Sequence, residues 1–599
     1  DYSRVVDYSR FPTQGQTSNA DGINAYVFSE RGIFRPGETL RFGMLMRRGD
    51  WKALPPDMPF FAELSDPSER TILRRQFVVG ADGLAELSWT VPEGAPTGRY
   101  RLDVQTPNAD GFAVVLGSGA VRVEEFQPDT MSLSATVNPA PGKGWLNASQ
   151  ASADAALKNL YGLPAVDRRL RGQLSVRPAS LSFPGYEDFT FHDAMPYRGS
   201  ALTLDLGEVR TDAQGRAVLP LPLEKLRGGT LHCRLLVEGF EPGCGRSVTT
   251  VRDFLVSPLQ AVLGYRPTGA GGNLGFIPKG SESTLEFVAL GPDLGRADPG
   301  ELTFSVAERR YVTSLVTDKD GRYRYDETPV DREIASSKRS FDASGNLAWA
   351  VPTDKPGEFL LSVRNASGQI MALVPFTVAG NDDLRLAGRD ELPSGNLRLH
   401  IDKADYAPGE SIRLFLSSPY DGMGLITLER DSVAASRWFR VRAGNSVQEI
   451  AVPKDFEGRA YVNVSLARSL SSPDVFMQPH SYAVAPLTVN VARRDMGLRL
   501  KAPEQVLPGS ALSVSLSARH PGKALIFAVV VGCPQLSSSA TPDPLRYLLN
   551  DRALEVETRQ MFDLLMPDHG QLRIPAFGGD MALSGGRVPN PFKRQAEPP

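Results

Sequence analysis

The sequence predicts an all-β fold made of β-sandwich domains arranged in tandem. Its 56 glycines and 47 prolines recur at the ends of alternating apolar runs, which is typical of many short strands joined by tight turns. Two turn phrases, one built on Pro-Gly and one on Val-Pro, repeat along the chain. The 599 residues correspond by length to roughly four to six domains.

The first phrase is an aromatic residue, any residue, Pro-Gly, an acidic residue or serine, and then alternating apolar residues. It occurs at 34–38 and 406–410, with weaker copies at 276–280 and 506–510. Proline presets φ for the turn and glycine accepts a positive φ, so Pro-Gly ends one strand and starts the next. The alternation that follows predicts a strand with one buried face.

The second phrase is an Asp and Gly turn, an alternating strand, Val-Pro and a closing strand. Complete copies run over 82–102 and 342–361, and partial copies cover 212–219 and 447–461. The copies lie about a hundred or more residues apart, which is the size of a seven-strand sandwich.

Domain boundaries follow from the points where closing strands meet new opening strands. Residues 151–160 fit a short helix or a polar crossover, and both alternatives stay open. Apolar residues at helical spacing follow Pro542 and Pro544, and proline in a first turn favours a helix start. The predicted units are a lead-in from a preceding domain (1–21), four sandwich domains (22–126, 127–257, 258–380 and 396–494), a partial domain with a helical segment (495–566) and a terminal loop (567–599).

Charge and hydropathy exclude two classes of partner for this stretch of chain. Basic and acidic residues number 66 and 69, and the formal net charge is −3. Without a basic stripe we expect no nucleic-acid partner. No apolar run approaches the roughly 18 residues of a membrane helix, and the first residues do not resemble a signal peptide. Because the chain opens within a module and stops without a closing strand, we expect it to be a piece of a longer protein.

The three cysteines are Cys233, Cys244 and Cys533. The first two flank a strand-like run at 235–237 and a turn at 241–243. A hairpin that brought Cys233 and Cys244 together would form a disulfide in an oxidising compartment. Two unpaired thiols in neighbouring strands are the equally open alternative.

Residues that could carry catalysis or hold a metal are scattered. The six histidines are dispersed along the chain, and His232, Cys233 and Cys244 are too few for a structural zinc site, which takes four ligands. The glycine-rich run 269–275 does not match the dinucleotide fingerprint, and no Gly-x-Ser-x-Gly elbow occurs. We therefore predict no catalytic residue, no metal and no cofactor, and we do not expect an enzyme.

The composition changes at Pro567, after which the chain is rich in Gly and Pro. Such a segment buries too little surface to offset the cost of ordering it, so it is predicted to be an exposed loop. An ordinary linker or tail is the alternative. The loop offers side chains suited to trypsin-like, chymotrypsin-like and elastase-like proteases: Arg573, Phe577, Met581, Leu583, Arg587, Phe592, Lys593 and Arg594.

Several stretches resemble one protein family. Residues 24–39 resemble the signature of the second-type macroglobulin domain, and 123–128 resemble the strand that leaves it. The block 399–429 is similar to the start of the bait-region domain. The runs 541–544 and 552–559 resemble the helical segment that precedes the bait in bacterial members. The chain thus resembles bacterial α2-macroglobulins over essentially its whole length.

This resemblance implies tandem macroglobulin-like domains that end in a bait region at 567–599. Cleavage there would trigger a rearrangement that encloses the protease, making the protein a broad-spectrum endopeptidase inhibitor that protects the bacterial cell envelope. It also implies a periplasmic lipoprotein at the inner membrane, anchored outside this chain, with endopeptidases of several specificities and envelope proteins as partners.

The covalent thioester of many members uses a Cys-x-Glu-Gln motif, and none of the three cysteines here begins one. The thioester domain would follow the bait domain, so a thioester-less MagD type stays open. Two other functions are alternatives: a structural or adhesive sandwich array, and an envelope-complex subunit whose edge strands recruit partner chains.

Overall fold

The computed structural model is built almost entirely of β-strands, which form four two-sheet units. We call these units sandwiches one to four in chain order. The predicted all-β class and tandem sandwich arrangement are confirmed, whereas the domain boundaries stay predictions. The structure describes residues 5–17, 22–49, 51–80, 82–108, 111–125, 130–147, 151–159, 161–196, 199–223, 229–241, 247–269, 273–317, 323–342, 345–383, 396–472, 479–503, 506, 509–521, 524, 526, 542–550 and 552–561.

Sandwich one packs a three-stranded sheet, ordered β1-β3-β6, on a five-stranded sheet, ordered β2-β8-β7-β4-β5. Its core lies between the sheets and includes Phe42, Phe60 and Tyr100. Its strands are β1 (Ile23–Ser29), β2 (Ile33–Phe34), β3 (Thr39–Arg48), β4 (Phe60–Ser65), β5 (Thr71–Phe77), β6 (Leu84–Thr90), β7 (Gly98–Pro107) and β8 (Ala113–Val123).

Sandwich two has sheets ordered β14-β10-β9 and β13-β11-β15-β16. The expectation of a helix or crossover over 151–160 was wrong, because this stretch forms a strand that turns Ala153, Ala155 and Leu157 toward the core at every second position. The strands of this part of the chain are β9 (Met131–Asn138), β10 (Ala151–Asn159), β11 (Arg169–Pro178), β12 (Thr190–Phe191), β13 (Leu202–Arg210), β14 (Arg216–Leu221), β15 (Leu231–Phe240) and β16 (Ser247–Val256).

Sandwich three has sheets ordered β12-β17-β19-β22 and β18-β24-β23-β20-β21. Because β12 comes from the part of the chain that builds sandwich two, it ties the two units together. The strands are β17 (Val262–Gly269), β18 (Ile277–Pro278), β19 (Ser283–Leu290), β20 (Leu302–Thr317), β21 (Tyr323–Arg339), β22 (Leu347–Ala350), β23 (Gly357–Arg364) and β24 (Ile370–Ala379).

Sandwich four has sheets ordered β25-β31-β28-β26 and β27-β33-β32-β29-β30. Its core includes Tyr406, Tyr420 and Leu466, and Phe11 from the start of the chain packs against it. The strands are β25 (Asp382–Asp383), β26 (Arg398–Ile401), β27 (Asp405–Tyr406), β28 (Ser411–Ser418), β29 (Gly422–Glu429), β30 (Val433–Val441), β31 (Gly444–Ala451), β32 (Gly458–Arg468) and β33 (His480–Val489).

The Pro-Gly phrase has the same structural role in three sandwiches. At the start of the phrase, a two-residue strand pairs in parallel with the last strand of the same unit: β2 with β8, β18 with β24, and β27 with β33. Gly37 and Gly409 then turn the chain with φ of +83° and +85°, a conformation that favours glycine. The repeated phrase therefore marks a repeated module.

The chain beyond sandwich four contains short elements. They are a 3₁₀ turn (Ala492–Arg494), β34 (Arg499–Lys501), β35 (Ser515–Ser517) and a π-helical turn (Arg546–Asn550). The helical segment predicted from residue 545 onward is thus much shorter than expected, since residues 552–561 contain no helix and instead form isolated β-bridges with the first residues of the chain. In the described part of the chain, no helix has the length and apolar character needed to cross a membrane.

Candidate functional site

The segment leading to the predicted bait region is the candidate functional site. Its described residues, 542–550 and 552–561, are called the stem here, and residues 5–17 at the other end of the chain are called the lead-in. The predicted bait region, 567–599, lies outside the described residues. The same holds for all eight cleavage candidates: Arg573, Phe577, Met581, Leu583, Arg587, Phe592, Lys593 and Arg594.

The first half of the stem is a short helical turn held against sandwich one. The carboxylate of Asp543 accepts a hydrogen bond of 3.0 Å from the backbone N–H of Arg546, which satisfies a donor of the first turn. The Asp543 N–H donates in turn to the hydroxyl of Tyr26 in β1, at 3.1 Å. The rings of Tyr26 and Tyr547 lie 5.0 Å apart. The turn is therefore positioned by sandwich one.

The opposite side of the same turn packs on sandwich four. Leu548 and Leu549 are buried, and Leu549 lies directly over Gly458 at the start of β32. A Cβ at Gly458 would come within 2.6 Å of the Leu549 carbonyl oxygen, and the φ of Gly458 is +82°. Glycine at this position therefore turns the chain into β32 and admits the stem.

The second half of the stem is held by backbone hydrogen bonds. The N–H groups of Ala553 and Leu554 donate to the carbonyls of Gln16 and Thr13, each at 3.0 Å. The N–H of Glu555 donates to the carbonyl of Arg430, which directly follows β29, at 2.7 Å. This half of the stem therefore lies between the lead-in and sandwich four.

Arg552 joins three parts of the molecule at the centre of the stem. It is only 4% exposed. Its Nη1 lies 3.4 Å from Oδ1 of Asn24 in sandwich one, and its Nη2 lies 3.3 Å from Oε1 of Glu555. Its carbonyl accepts a hydrogen bond of 2.8 Å from the buried Tyr461 hydroxyl in sandwich four. Burial lowers the pKa of Arg552. Removing one partner of a buried ion pair costs about 3–5 kcal/mol, so the loss of Glu555 would leave a poorly compensated charge at the centre of the stem.

A polar network lies beneath the far end of the stem. The Tyr8 hydroxyl donates to Oγ1 of Thr558 at 2.7 Å and accepts from Nδ2 of Asn463 at 2.6 Å. Nδ2 of Asn463 also lies 3.4 Å from Oε2 of Glu429, and the Thr427 hydroxyl donates to the same carboxyl group. Burial raises the pKa of Glu429. The lead-in and the stem thus cover polar groups of sandwich four.

A second contact between sandwiches one and four lies beside the stem. Both Arg493 and Arg494 bind the buried carboxylate of Glu457, Arg494 at 2.8 Å. The Arg494 guanidinium also lies 4.4 Å from the ring centroid of Trp51 in sandwich one. The Nη1 of Arg430 donates to the carbonyl of Glu457 at 2.9 Å. The two sandwiches are therefore connected by charged groups as well as by the stem.

The other predicted site residues do not converge on a chemical centre. Cys233 is buried and free, and burial raises the pKa of its thiol to about 12. It lies seven positions before Phe240, where β15 ends. Cys244 lies outside the described residues, so the pairing stays a prediction.

Metal ligands do not cluster in the part of the chain that the structure describes. There, no group of three or more His, Cys, Asp and Glu residues is placed to hold an ion. The expectations of no catalytic residue and no cofactor stay predictions.

Sequence reasoning did not find the contact between the lead-in and the stem. Tyr8 and Thr558 are 550 positions apart, and no local pattern links them. The resemblance over 552–559 marked the stem itself, but it gave no indication of which surface the stem would contact.

The fold and this site define a class: tandem macroglobulin-like sandwiches with a bait-region domain. Models of three families match successive parts of the chain. They are the MG2 domain over 24–123, the bacterial α2-macroglobulin MG5 domain over 140–258 and the α2-macroglobulin bait region domain over 397–532. The chain belongs to the bacterial α2-macroglobulin family.

Curated relatives match over the full chain. An α2-macroglobulin of Rickettsia conorii is 34% identical over 604 residues, covering 100% of this chain and 32% of the relative. A homologue of Yersinia pestis is 31% identical over 100% of the chain and 30% of the relative. One of Pasteurella multocida is 33% identical over 100% of the chain and 32% of the relative. The chain thus spans about a third of the length of these relatives.

Solved structures of the same kind were also found. The native conformation of Escherichia coli α2-macroglobulin matches with a TM-score of 0.45 and 20% identity, covering 92% of this chain and 35% of that one. A Salmonella α2-macroglobulin mutant matches with a TM-score of 0.45 and 21% identity, again over 92% of this chain and 35% of that one.

Proposed function

We propose that this chain is the bait-presenting part of a broad-spectrum endopeptidase inhibitor that acts by trapping. A protease cuts within 567–599, the surrounding sandwiches rearrange, and the protease is enclosed. The chain contributes a substrate-like loop and a scaffold, and it supplies no catalytic residue, metal or cofactor.

The observation that supports this proposal most is the bait-region domain matched over 397–532, followed in the chain by a stem held by both sandwich one and sandwich four. A loop that begins at so well anchored a stem is coupled to the relative position of two domains. Cutting the loop breaks the covalent link between the stem and the residues beyond the cut. A cleavage-triggered rearrangement requires such a change in the connection between domains.

The cleavage candidates support several target specificities. Basic, aromatic and aliphatic side chains alternate with the glycine pairs 578–579 and 585–586, which leave the backbone free to extend into a protease cleft. We propose endopeptidases of several specificities as partners, with envelope proteins as further partners. We also propose a periplasmic location, envelope protection, and attachment to the inner membrane through a lipid anchor outside this chain.

Limited proteolysis with mass spectrometry tests the proposal. Trypsin, chymotrypsin and elastase should each make their first cut within 567–599, in this chain and in the longer protein expected to contain it. In a variant with Arg573, Arg587, Lys593 and Arg594 replaced by Gln, early tryptic cleavage should disappear while chymotryptic cleavage persists, which serves as the internal control.

Shape and retention of protease decide between trapping and its rivals. Small-angle scattering should show compaction of the longer protein after the first cut, and the protease should co-elute with it. First cuts near Ser257 or Gly380, or an unchanged shape after cleavage at 567–599, would favour a structural or adhesive array. A stable partner bound without any protease would favour an envelope-complex subunit.

A further inference from the structure

The stem lies in a groove that no single domain provides. Its two sides are β1 of sandwich one, through Asn24 and Tyr26, and β32 of sandwich four, through Gly458 and Tyr461. The lead-in covers the groove. Sandwiches one and four are separated in sequence by all of sandwiches two and three, so this contact closes the chain on itself.

The backbones of the lead-in and the stem are in close contact at Gly15. A Cβ on Gly15 would lie 2.6 Å from both the Ala553 nitrogen and the Arg552 carbonyl carbon, and 2.8 Å from the Arg552 oxygen. These neighbours are backbone atoms and cannot rotate away. Glycine is therefore required for the two backbones to approach, and any larger residue must push the stem outward.

Arg552 is a single residue that contacts both domains. Its side chain reaches sandwich one and its carbonyl reaches sandwich four, so separation of the two domains at the stem requires at least one of these contacts to break. Displacement of the lead-in and the stem would expose the groups of the polar network, and water can rehydrate these groups because they are hydroxyl, amide and carboxyl groups. The contact is thus specific when closed and able to open in water.

We propose that the lead-in and the stem form a clasp between sandwiches one and four, with Arg552 as its positioning residue, and that opening of this clasp limits the rate of the rearrangement after bait cleavage. The clasp is argued from its contacts alone; its role in the rearrangement rests on the proposed function. Cleavage of the bait and opening of the clasp are separate steps, so their rates can be measured separately.

Native-state hydrogen exchange tests the clasp in the uncut chain. The reporters are the amides of Val6, Ala553 and Leu554, which donate across the clasp. Tyr461→Phe removes the hydroxyl that holds Arg552, and it should speed exchange of the reporters roughly threefold to tenfold. Gly15→Ala should speed it roughly tenfold or more, because the added methyl cannot be accommodated.

Each variant has a matched control. Tyr100→Phe also loses a buried tyrosine hydroxyl that donates to one carbonyl, that of Pro96 at 2.9 Å, but inside sandwich one. Gly94→Ala adds a methyl where no atom lies within 4 Å. Both controls should leave reporter exchange unchanged. If controls and clasp variants behave alike, or if the clasp variants leave the reporters protected, the clasp is refuted.

The rate of rearrangement tests the coupling. In the longer protein, Arg552→Met and Tyr461→Phe should leave the rate of tryptic bait cleavage unchanged and raise the rate of the compaction that follows, with Arg552→Lys closer to the native rate. Unchanged compaction rates with faster reporter exchange would overturn the coupling. If cleavage causes no compaction in any protein while reporter exchange responds as expected, the trapping function fails and the clasp stands.

Discussion

Two junctions between domains hold this molecule together by different physical means. The junction of sandwiches two and three is an apolar core in which Trp145 packs on Phe183, with ring centroids 5.7 Å apart, and Phe183 packs on Phe191 at 4.9 Å. The Trp145 Nε1–H donates to the carbonyl of Leu259 at 2.8 Å. The clasp between sandwiches one and four instead combines hydrogen bonds around Arg552, Tyr8 and their partners with a small apolar contact at Leu548 and Leu549.

The difference indicates which junction is fixed and which can open. Apolar burial stabilises in proportion to the area removed from water, and exposed apolar side chains gain no compensating interaction with solvent. The junction of sandwiches two and three should therefore stay closed. Hydrogen bonds exchange for bonds to water at a small net cost, about 1 kcal/mol between neutral groups and about 1.5–3 kcal/mol where one group is charged. A clasp of such bonds can therefore open when another part of the molecule is altered.

The largest expected effect is at the apolar junction. Trp145→Ala should destabilise sandwiches two and three by about 3–5 kcal/mol, because Trp145 is 1% exposed and its removal leaves a cavity. Urea denaturation measures this change. Trp438→Ala, which removes a tryptophan 67% exposed on β30, is the control and should change stability by less than about 0.5 kcal/mol. Equal losses of stability at the two positions would contradict the role of Trp145 in holding the junction together.

An intermediate effect is expected from acid on the sheet beneath the clasp. Burial lowers the pKa of His480 to about 4, and its ring stacks on Tyr482, whose hydroxyl donates to the carbonyl of Asp7 in the lead-in. A depressed folded-state pKa contributes stability that is present above the unfolded value of about 6.5 and is lost as the pH falls toward about 4. The loss is up to about 3 kcal/mol.

The substitution His480→Phe isolates this effect. It keeps a ring beside Tyr482 but cannot be protonated, so thermal stability should fall less between pH 7 and pH 4.5 than in the native chain. His520→Phe is the control, since His520 is exposed. An equal acid loss in the His480→Phe and native proteins would assign the acid sensitivity to other groups.

The same contrast explains how much of the structure could be predicted from the sequence. The Pro-Gly turns and the strands after them depend on residues a few positions apart, and these were predicted. The clasp depends on residues more than 500 positions apart, and the sequence contains no local sign of it. The family resemblance supplied the stem and the bait region, but not the contacts of Arg552.

Two errors in the predicted elements have different causes. Residues Ala151–Asn159 are rich in alanine, which favours helix, yet Ala153, Ala155 and Leu157 alternate at the period of a strand; that alternation was the available signal. The apolar residues after Leu549 have helical spacing, but the N–H groups of Ala553 and Leu554 bind the lead-in instead of the preceding turn. Tertiary contacts decided the second case.

The smallest expected effect tests whether the clasp tolerates a buried charge. Burial raises the pKa of Glu429, so ionising this carboxyl group costs more in the folded chain than in the unfolded chain. A raised folded-state pKa contributes stability that is present below the unfolded value of about 4.3 and is lost as the pH rises through the folded value. At neutral pH the ionised Glu429 therefore weakens the sheet under the lead-in and the stem.

Glu429→Gln removes that charge while keeping the shape of the side chain. It should raise thermal stability at pH 7.5 and have no stabilising effect at pH 4, and the exposed Glu93→Gln should have none at either pH. The gain should be below about 1 kcal/mol, because Thr427 and Asn463 both donate to the carboxyl group and the amide accepts only one of these bonds as before. A loss of stability at pH 7.5 that matches the loss at pH 4 would show that those hydrogen bonds outweigh the buried charge. The polar network beneath the clasp would then favour a carboxylate at position 429, and the substitutions expected to weaken this network would be those at Asn463 or Thr427.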